Sequence, residues 1–161
     1  MALMVVTIVI GVTQLGRQKN SADETSDDIY PKAAMAQNLS YMAVDTARIV
    51  RNLILNKDPQ AIASNQAALD KNKAQIEELI NKLDRAIVLD KGRELMKVIK
   101  ESHAAYTSYT KNVVDLALSS NDSEATKTLF GENYKTQAAY LTALKNMVNY
   151  QEQRMDEGSA Q

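Results

Sequence analysis

Arg48 and Arg51 stand three residues apart, with Asn52 beside them, between Val44 and Leu55. On a helix that spacing puts both guanidinium groups in one angular sector. There they can grip a carboxylate or a phosphate through parallel hydrogen bonds. The competing reading, of equal weight, is an ion pair with Asp45 or with acids on a neighbouring element. Little else offers chemistry. His103 is the lone histidine, and the adjoining Ser102 points away from it on any helix. An acid–base pair therefore lacks its geometry, and a solvated or bundle-edge imidazole is expected. The chain has no cysteine, which excludes disulfides and thiolate metal sites. It also lacks the Glu-x-x-His pair of a di-iron bundle and any glycine-rich phosphate loop. Glu77-Glu78 reads as a wet helix face. No catalysis, metal or cofactor is expected, and a net charge of −1 gives no footing for nucleic acid.

The elements that must position those arginines are long helices. Five glycines and two prolines in 161 residues leave few breaks, and the remaining composition favours helix. Tyr134, Gln137, Leu141, Leu144, Val148, Gln151 and Met155 recur at alternating steps of three and four. So do Leu95, Ile99, Ser102, Tyr106, Tyr109, Val113 and Leu116. Each set makes one stripe along a helix, with polar groups looking inward among apolar ones.

An earlier helix, from Ile29 to about Ile54, carries Ile29, Ala36, Ala43 and Val50 at intervals of seven. Met35, Met42 and Ile49 form a second row, so this helix needs two neighbours: its own bundle and a dimer mate. It stops at Asn56-Lys57-Asp58-Pro59, where Asp58 can cap the next helix and Pro59 can occupy its first position. That second helix repeats Ile62, Leu69, Ile76 and Leu83 every seven residues, with Ile80 and Ile87 between, and is polar elsewhere. It should lie at the periphery with one side buried. Asp90-Lys91-Gly92 makes the next turn, with Asp90 as a cap. The third helix ends in Ser119–Asp122, and Asn121-x-x-Glu124 has the form of a capping box for the fourth, which Gly131 can interrupt.

Short connections force antiparallel neighbours, so the fold class is an all-α, up-down-up-down four-helix bundle of long helices. A common rise per residue then sets which positions share a height. Arg48, Arg51 and Asn52 meet Tyr109 and Asn112 of the third helix and Asn133, Tyr134, Thr136 and Gln137 of the fourth. This is the candidate ligand site, far from the chain's N-terminal run. Tyr41, Tyr106 and Tyr140 fall one or two turns lower, as a lower pocket or as core.

Ala2–Val12 is apolar apart from Thr7 and Gly11 and gives way to Gln14, Arg17 and Lys19. It is too short to span a bilayer, for which about 20 residues are needed, and lacks the leading positive charge of a signal peptide. The expectation is the outer end of a truncated first transmembrane helix at 1–16, continuing into the first bundle helix. A buried terminal helix is the lesser alternative. Arg17 and Lys19 work against export of the residues after them, unless a preceding cytoplasmic flank outweighs them.

Four stretches carry a resemblance. They are Ala47-Arg48-Ile49-Val50-Arg51-Asn52-Leu53-Ile54-Leu55-Asn56-Lys57-Asp58-Pro59, Lys91-Gly92-Arg93-Glu94-Leu95, His103-Ala104-Ala105-Tyr106, and Gln137-Ala138-Ala139-Tyr140-Leu141-Thr142-Ala143-Leu144. In their order and spacing the chain resembles the periplasmic four-helix-bundle sensor domain of bacterial methyl-accepting chemotaxis receptors. It departs from relatives in having His103 where arginine is common and Lys135 where proline is. The resemblance implies a sensor domain at 17–157 and a C-terminal end at 158–161 leading to a second membrane helix. It implies a homodimer packed through first helices, in the bacterial inner membrane with this domain in the periplasm. It also implies a small-molecule ligand, an organic acid or amino acid, held by first-helix arginines and early fourth-helix polar groups. Axial displacement of the fourth helix would then act on a cytoplasmic kinase assembly. A sensor histidine kinase or cyclase, or a structural or protein-binding bundle without a small ligand, are the alternatives.

Overall fold

The computed structural model describes residues 25–159. Five α-helices account for most of them: α1 (Tyr30–Leu55), α2 (Pro59–Ala86), α3 (Asp90–Leu118), α4 (Asp122–Leu129) and α5 (Lys135–Ser159). A π-helical turn, Thr25–Ile29, leads into α1, and a 3-10 turn, Glu132–Tyr134, joins α4 to α5. The wide turn falls just before Pro31, which has no N–H to donate and whose ring crowds the preceding turn. The four long helices have 26, 28, 29 and 25 residues, hence lengths near 40 Å at 1.5 Å per residue. No helix among the described residues is long and apolar enough to cross a membrane. The expected transmembrane piece at 1–16 lies outside them.

Contacts fix the topology. Asn72 of α2 bonds the Met42 carbonyl of α1, Tyr106 of α3 bonds the Ala43 carbonyl, and Tyr140 of α5 stacks on Tyr106. These four helices thus meet at one level. Near the chain-terminal end Arg154 of α5 approaches Asp28 at 3.7 Å. At the opposite, distal end Lys57 pairs with Asp122. Successive long helices therefore run antiparallel, with the short α4 and the 3-10 turn forming the distal start of the fourth rod.

The core includes Leu83, Ile99 and Leu144 of the expected stripes together with Leu39, Leu53 and Met147, all almost wholly enclosed. Each such side chain contributes about 1.5–3 kcal/mol by leaving water. The packing is uneven. The helix α1 lies against both α2 and α5 and also approaches α3, whereas α2 scarcely touches α3. Asn72 is the buried polar tie that holds α2 on α1; its side-chain amide donates to the Met42 carbonyl and to Thr46 Oγ1, both at 3.1 Å. As expected, α2 is peripheral with one side buried.

Asp58 caps α2 as expected, accepting from the Ala61 N–H at 2.9 Å. Four other local expectations change. Asn121 makes no such bond to α4, and Glu124 pairs instead with Lys127, so the capping box does not form. Asp90 is the first residue of α3 rather than part of a turn; the turn is Ile87–Leu89, and Leu89 stands at the cap. On α5 the most buried positions are Tyr140, Ala143, Leu144, Met147 and Gln151, while Leu141 and Val148 are half-buried. The helix α5 packs on both α1 and α3, and its buried stripe is turned by about one residue from the expected one. On α1, Ile49 is enclosed and Met35 and Met42 are half-buried. That row faces its own bundle, Ile49 within the core and Met35 and Met42 packed against it.

Candidate functional site

Tyr106 and Tyr109 lie one turn apart on α3 and both point inward. The Tyr106 hydroxyl donates to the Ala43 carbonyl at 3.0 Å, and Tyr109 donates to the Leu129 carbonyl at 2.6 Å, securing the end of α4. Arg51 of α1 and Tyr134 of the 3-10 turn are near enough to act on both phenols. Burial pushes the Tyr106 and Tyr109 hydroxyls up, Tyr134 adds to this, and the Arg51 charge opposes it. The two phenols thus remain neutral donors beside a guanidinium. Arg51, Tyr106, Tyr109 and Tyr134 form one distal cluster, Arg51 half-buried and Tyr134 44 % exposed.

The other expected site residues are exposed or half-buried. Arg48 is exposed and bound to Asp45, its Nε 2.9 Å from Oδ1, which is the competing reading for this residue. Asn52 and Gln137 are half-buried, and Asn112 and Asn133 are exposed. The half-buried Thr136 turns its hydroxyl back to the Asn133 carbonyl at 2.6 Å. The lower set divides. Tyr106 and Tyr140 stack in the core, whereas Tyr41 is 66 % exposed. Two residues on a helix differ by 200°, so Tyr41 must face away when Leu39 and Ala43 face in.

Tyr41 belongs instead to an outward stripe. Tyr30, Gln37, Tyr41, Val44, Arg48 and Leu55 are exposed, with half-buried Ala34 and Arg51 completing steps of three and four along the whole of α1. A 3.5-residue repeat is the spacing by which two helices pack as a coiled coil. The stripe carries both arginines.

A second concavity was not legible in the sequence. Where α2 and α3 separate, a groove of about 210 Å³ opens, floored by Thr46 of α1 and walled by Leu69 and Ile76 of α2 and Tyr106, Thr110 and Val114 of α3. His103 lies at its lower end, its Nε2 3.2 Å from Thr107 Oγ1 and its ring 5.2 Å from that of Tyr140. Burial lowers the pKa of His103, Glu77 pulls it back up, and Lys73 lowers it further. The imidazole is therefore a neutral, half-buried group at the bundle edge rather than a solvated one. Among the described residues no cluster of acids and histidine could hold a metal ion.

The sequence matches the family described as a four helix bundle sensory module for signal transduction over residues 1–161. The chain belongs to that family. No curated protein matches the sequence. A four-helix-bundle sensory module serves signal transduction and is not a known enzyme domain.

Proposed function

We propose that this sensory bundle is the periplasmic sensor domain of an inner-membrane chemoreceptor, and that it binds a small carboxylate at a homodimer interface formed by α1. The carrying observation is the position of Arg48 and Arg51 on the outward stripe of α1, with Arg51 beside Tyr106, Tyr109 and Tyr134. Packing two such stripes together would enclose the arginines from both protomers, and a dianion or carboxylate between them would relieve their mutual repulsion. Guanidinium groups grip carboxylates through two parallel hydrogen bonds, and neutral phenols donate further ones. Asn52, Asn112, Asn133, Thr136 and Gln137 supply the remaining polar groups of the distal end.

Output follows from differential binding. A ligand shifts a helix only if it binds one arrangement better than another. The rod built from α4, the 3-10 turn and α5 touches the cluster at Tyr134 and leads back toward the membrane end, so its axial displacement would reach a cytoplasmic kinase assembly. A thermal-shift screen of organic acids and amino acids tests the reading, because a ligand of the folded state stabilises it by mass action, about 2.7 kcal/mol at a hundred times Kd. The expected result is a rise for a carboxylate that disappears in Arg51→Ala. A rise with an organic acid lacking an ammonium group that survives Arg51→Ala and Arg48→Ala together would remove the distal assignment.

A further inference from the structure

The groove between α2 and α3 has a polarity of its own. Its walls are largely apolar, from Leu69, Ile76, Val114 and the Tyr106 ring. Thr110 Oγ1 donates to the Tyr106 and Thr107 carbonyls, both at 3.0 Å, so toward the groove it offers lone pairs rather than a proton. Thr46 Oγ1 is likewise committed, donating to the Met42 carbonyl at 2.9 Å and accepting from Asn72. Two opposite charges stand at the mouth on α2, Asp70 and Lys73. They are three residues apart, about 4.5 Å of helical rise, and form no ion pair with each other among the described ion pairs. Lys111, the other cation at the rim, is paired with Asp115 at 2.5 Å.

An acceptor set and a donor set separated by a few ångströms, above an apolar trough, match a compact zwitterion. An ammonium would meet Asp70 and the lone pairs of Thr110, a carboxylate would meet Lys73, and an apolar side chain would cover Leu69, Ile76 and Val114. A purely anionic ligand would set its charge against Asp70 as well as beside Lys73, and a purely cationic one would do the reverse. The volume is below the ~300–1,000 Å³ of sites for drug-sized molecules, which restricts the occupant to a metabolite of modest size. We infer that the α2–α3 groove of a single protomer is a binding site for an α-amino acid with an apolar side chain. The site is separate from the α1 arginines and needs no partner copy. Its inner wall is Tyr106, whose ring stacks on Tyr140, so an occupant touches the residue that links α3 to α5.

Isothermal titration of the full chain with L-leucine and L-phenylalanine, against 3-phenylpropionate and phenethylamine, tests the assignment. At least one amino acid should bind about tenfold or more tightly than the compounds lacking its ammonium or its carboxylate, the loss expected for one charged hydrogen bond. Asp70→Asn and Lys73→Gln, both at exposed positions, should each weaken binding by about tenfold while leaving the melting temperature near that of the parent. Leu69→Trp should block the trough. Arg51→Ala, which removes the proposed distal carboxylate site, should leave amino-acid binding intact, so the two readings fail separately. Absence of binding by both amino acids, equal binding of 3-phenylpropionate by the Arg51→Ala chain, or loss of amino-acid binding in Arg51→Ala would each overturn the inference.

Discussion

Tyr106 of α3 and Tyr140 of α5 stack with ring centroids 5.9 Å apart and planes inclined by 29°. The two phenols are otherwise unlike. Tyr106 donates to the Ala43 carbonyl, whereas the Tyr140 hydroxyl, wholly enclosed, has no hydrogen-bond partner among the described residues. Burial pushes both hydroxyls well above the ordinary phenol range. They therefore remain protonated, and the stack joins α3 to α5 through ring contact.

That asymmetry predicts opposite outcomes for the same atom deletion. Tyr106→Phe loses a formed hydrogen bond and should cost about 0.5–1.5 kcal/mol. Tyr140→Phe removes an enclosed hydroxyl without a partner and should be neutral or stabilise by up to about 1 kcal/mol. Urea denaturation of the two variants side by side distinguishes them. Equal losses would mean that the Tyr140 hydroxyl is satisfied in solution.

The end of α3 offers a stabilising change. Ser120 is the one non-glycine residue with positive φ among those described, at 60°. Its N–H bonds the Ala117 carbonyl and the Asn121 N–H bonds the Leu116 carbonyl, the two bonds of a Schellman motif. A Cβ is disfavoured in that left-handed conformation, so Ser120→Gly should raise stability by about 0.5–1 kcal/mol. A lowered melting temperature would contradict the assigned termination.

His103 predicts acid sensitivity. Burial holds its pKa below 6.5, the value in an unfolded chain, with Glu77 opposing and Lys73 assisting. The folded state therefore prefers the neutral ring. Its contribution is complete above pH 6.5 and is lost as pH falls through the folded-state value, because the unfolded chain binds the proton first. Melting temperature should fall between pH 7 and pH 5, and His103→Gln should flatten that interval. Carboxylates govern the decline at lower pH and remain in the variant.

The outward stripe of α1 predicts an assembly defect without a folding defect. Val44 is 52 % exposed in one protomer, so Val44→Asp should change protomer stability by no more than about 0.5 kcal/mol. Between two copies it would set like charges at the seam. Sedimentation should show a dimer of the parent chain and a monomer of the variant. A variant that remains dimeric would place the interface elsewhere.

Much of the bundle is readable in the residue order because its cause is local or periodic. Asp58-Pro59 starts α2 for reasons contained in those two residues, and Ile76, Ile80 and Leu83 must share a face because a helix turns 100° per residue. The level shared by Ala43, Tyr106 and Tyr140 likewise follows from a common rise and short turns. The resemblance carried by Ala47–Pro59 and its companions adds the family, which the match over residues 1–161 establishes.

Periodicity leaves each helix free to roll about its own axis and free to stand nearer one neighbour than another. Those freedoms are settled only when all the side chains pack at once. The roll of α5 decided that Tyr140 and Met147 are enclosed while Leu141 and Val148 are half-covered. The roll of α1 sent Tyr41 outward, and local charge tied Arg48 to Asp45. The close approach of α1 to α3, with α2 held on α1 by Asn72, opened the groove beside His103. The residue order determined four antiparallel rods and the faces they bury. The tertiary packing alone decided which polar groups meet, because no interhelical gap is encoded in any one helix.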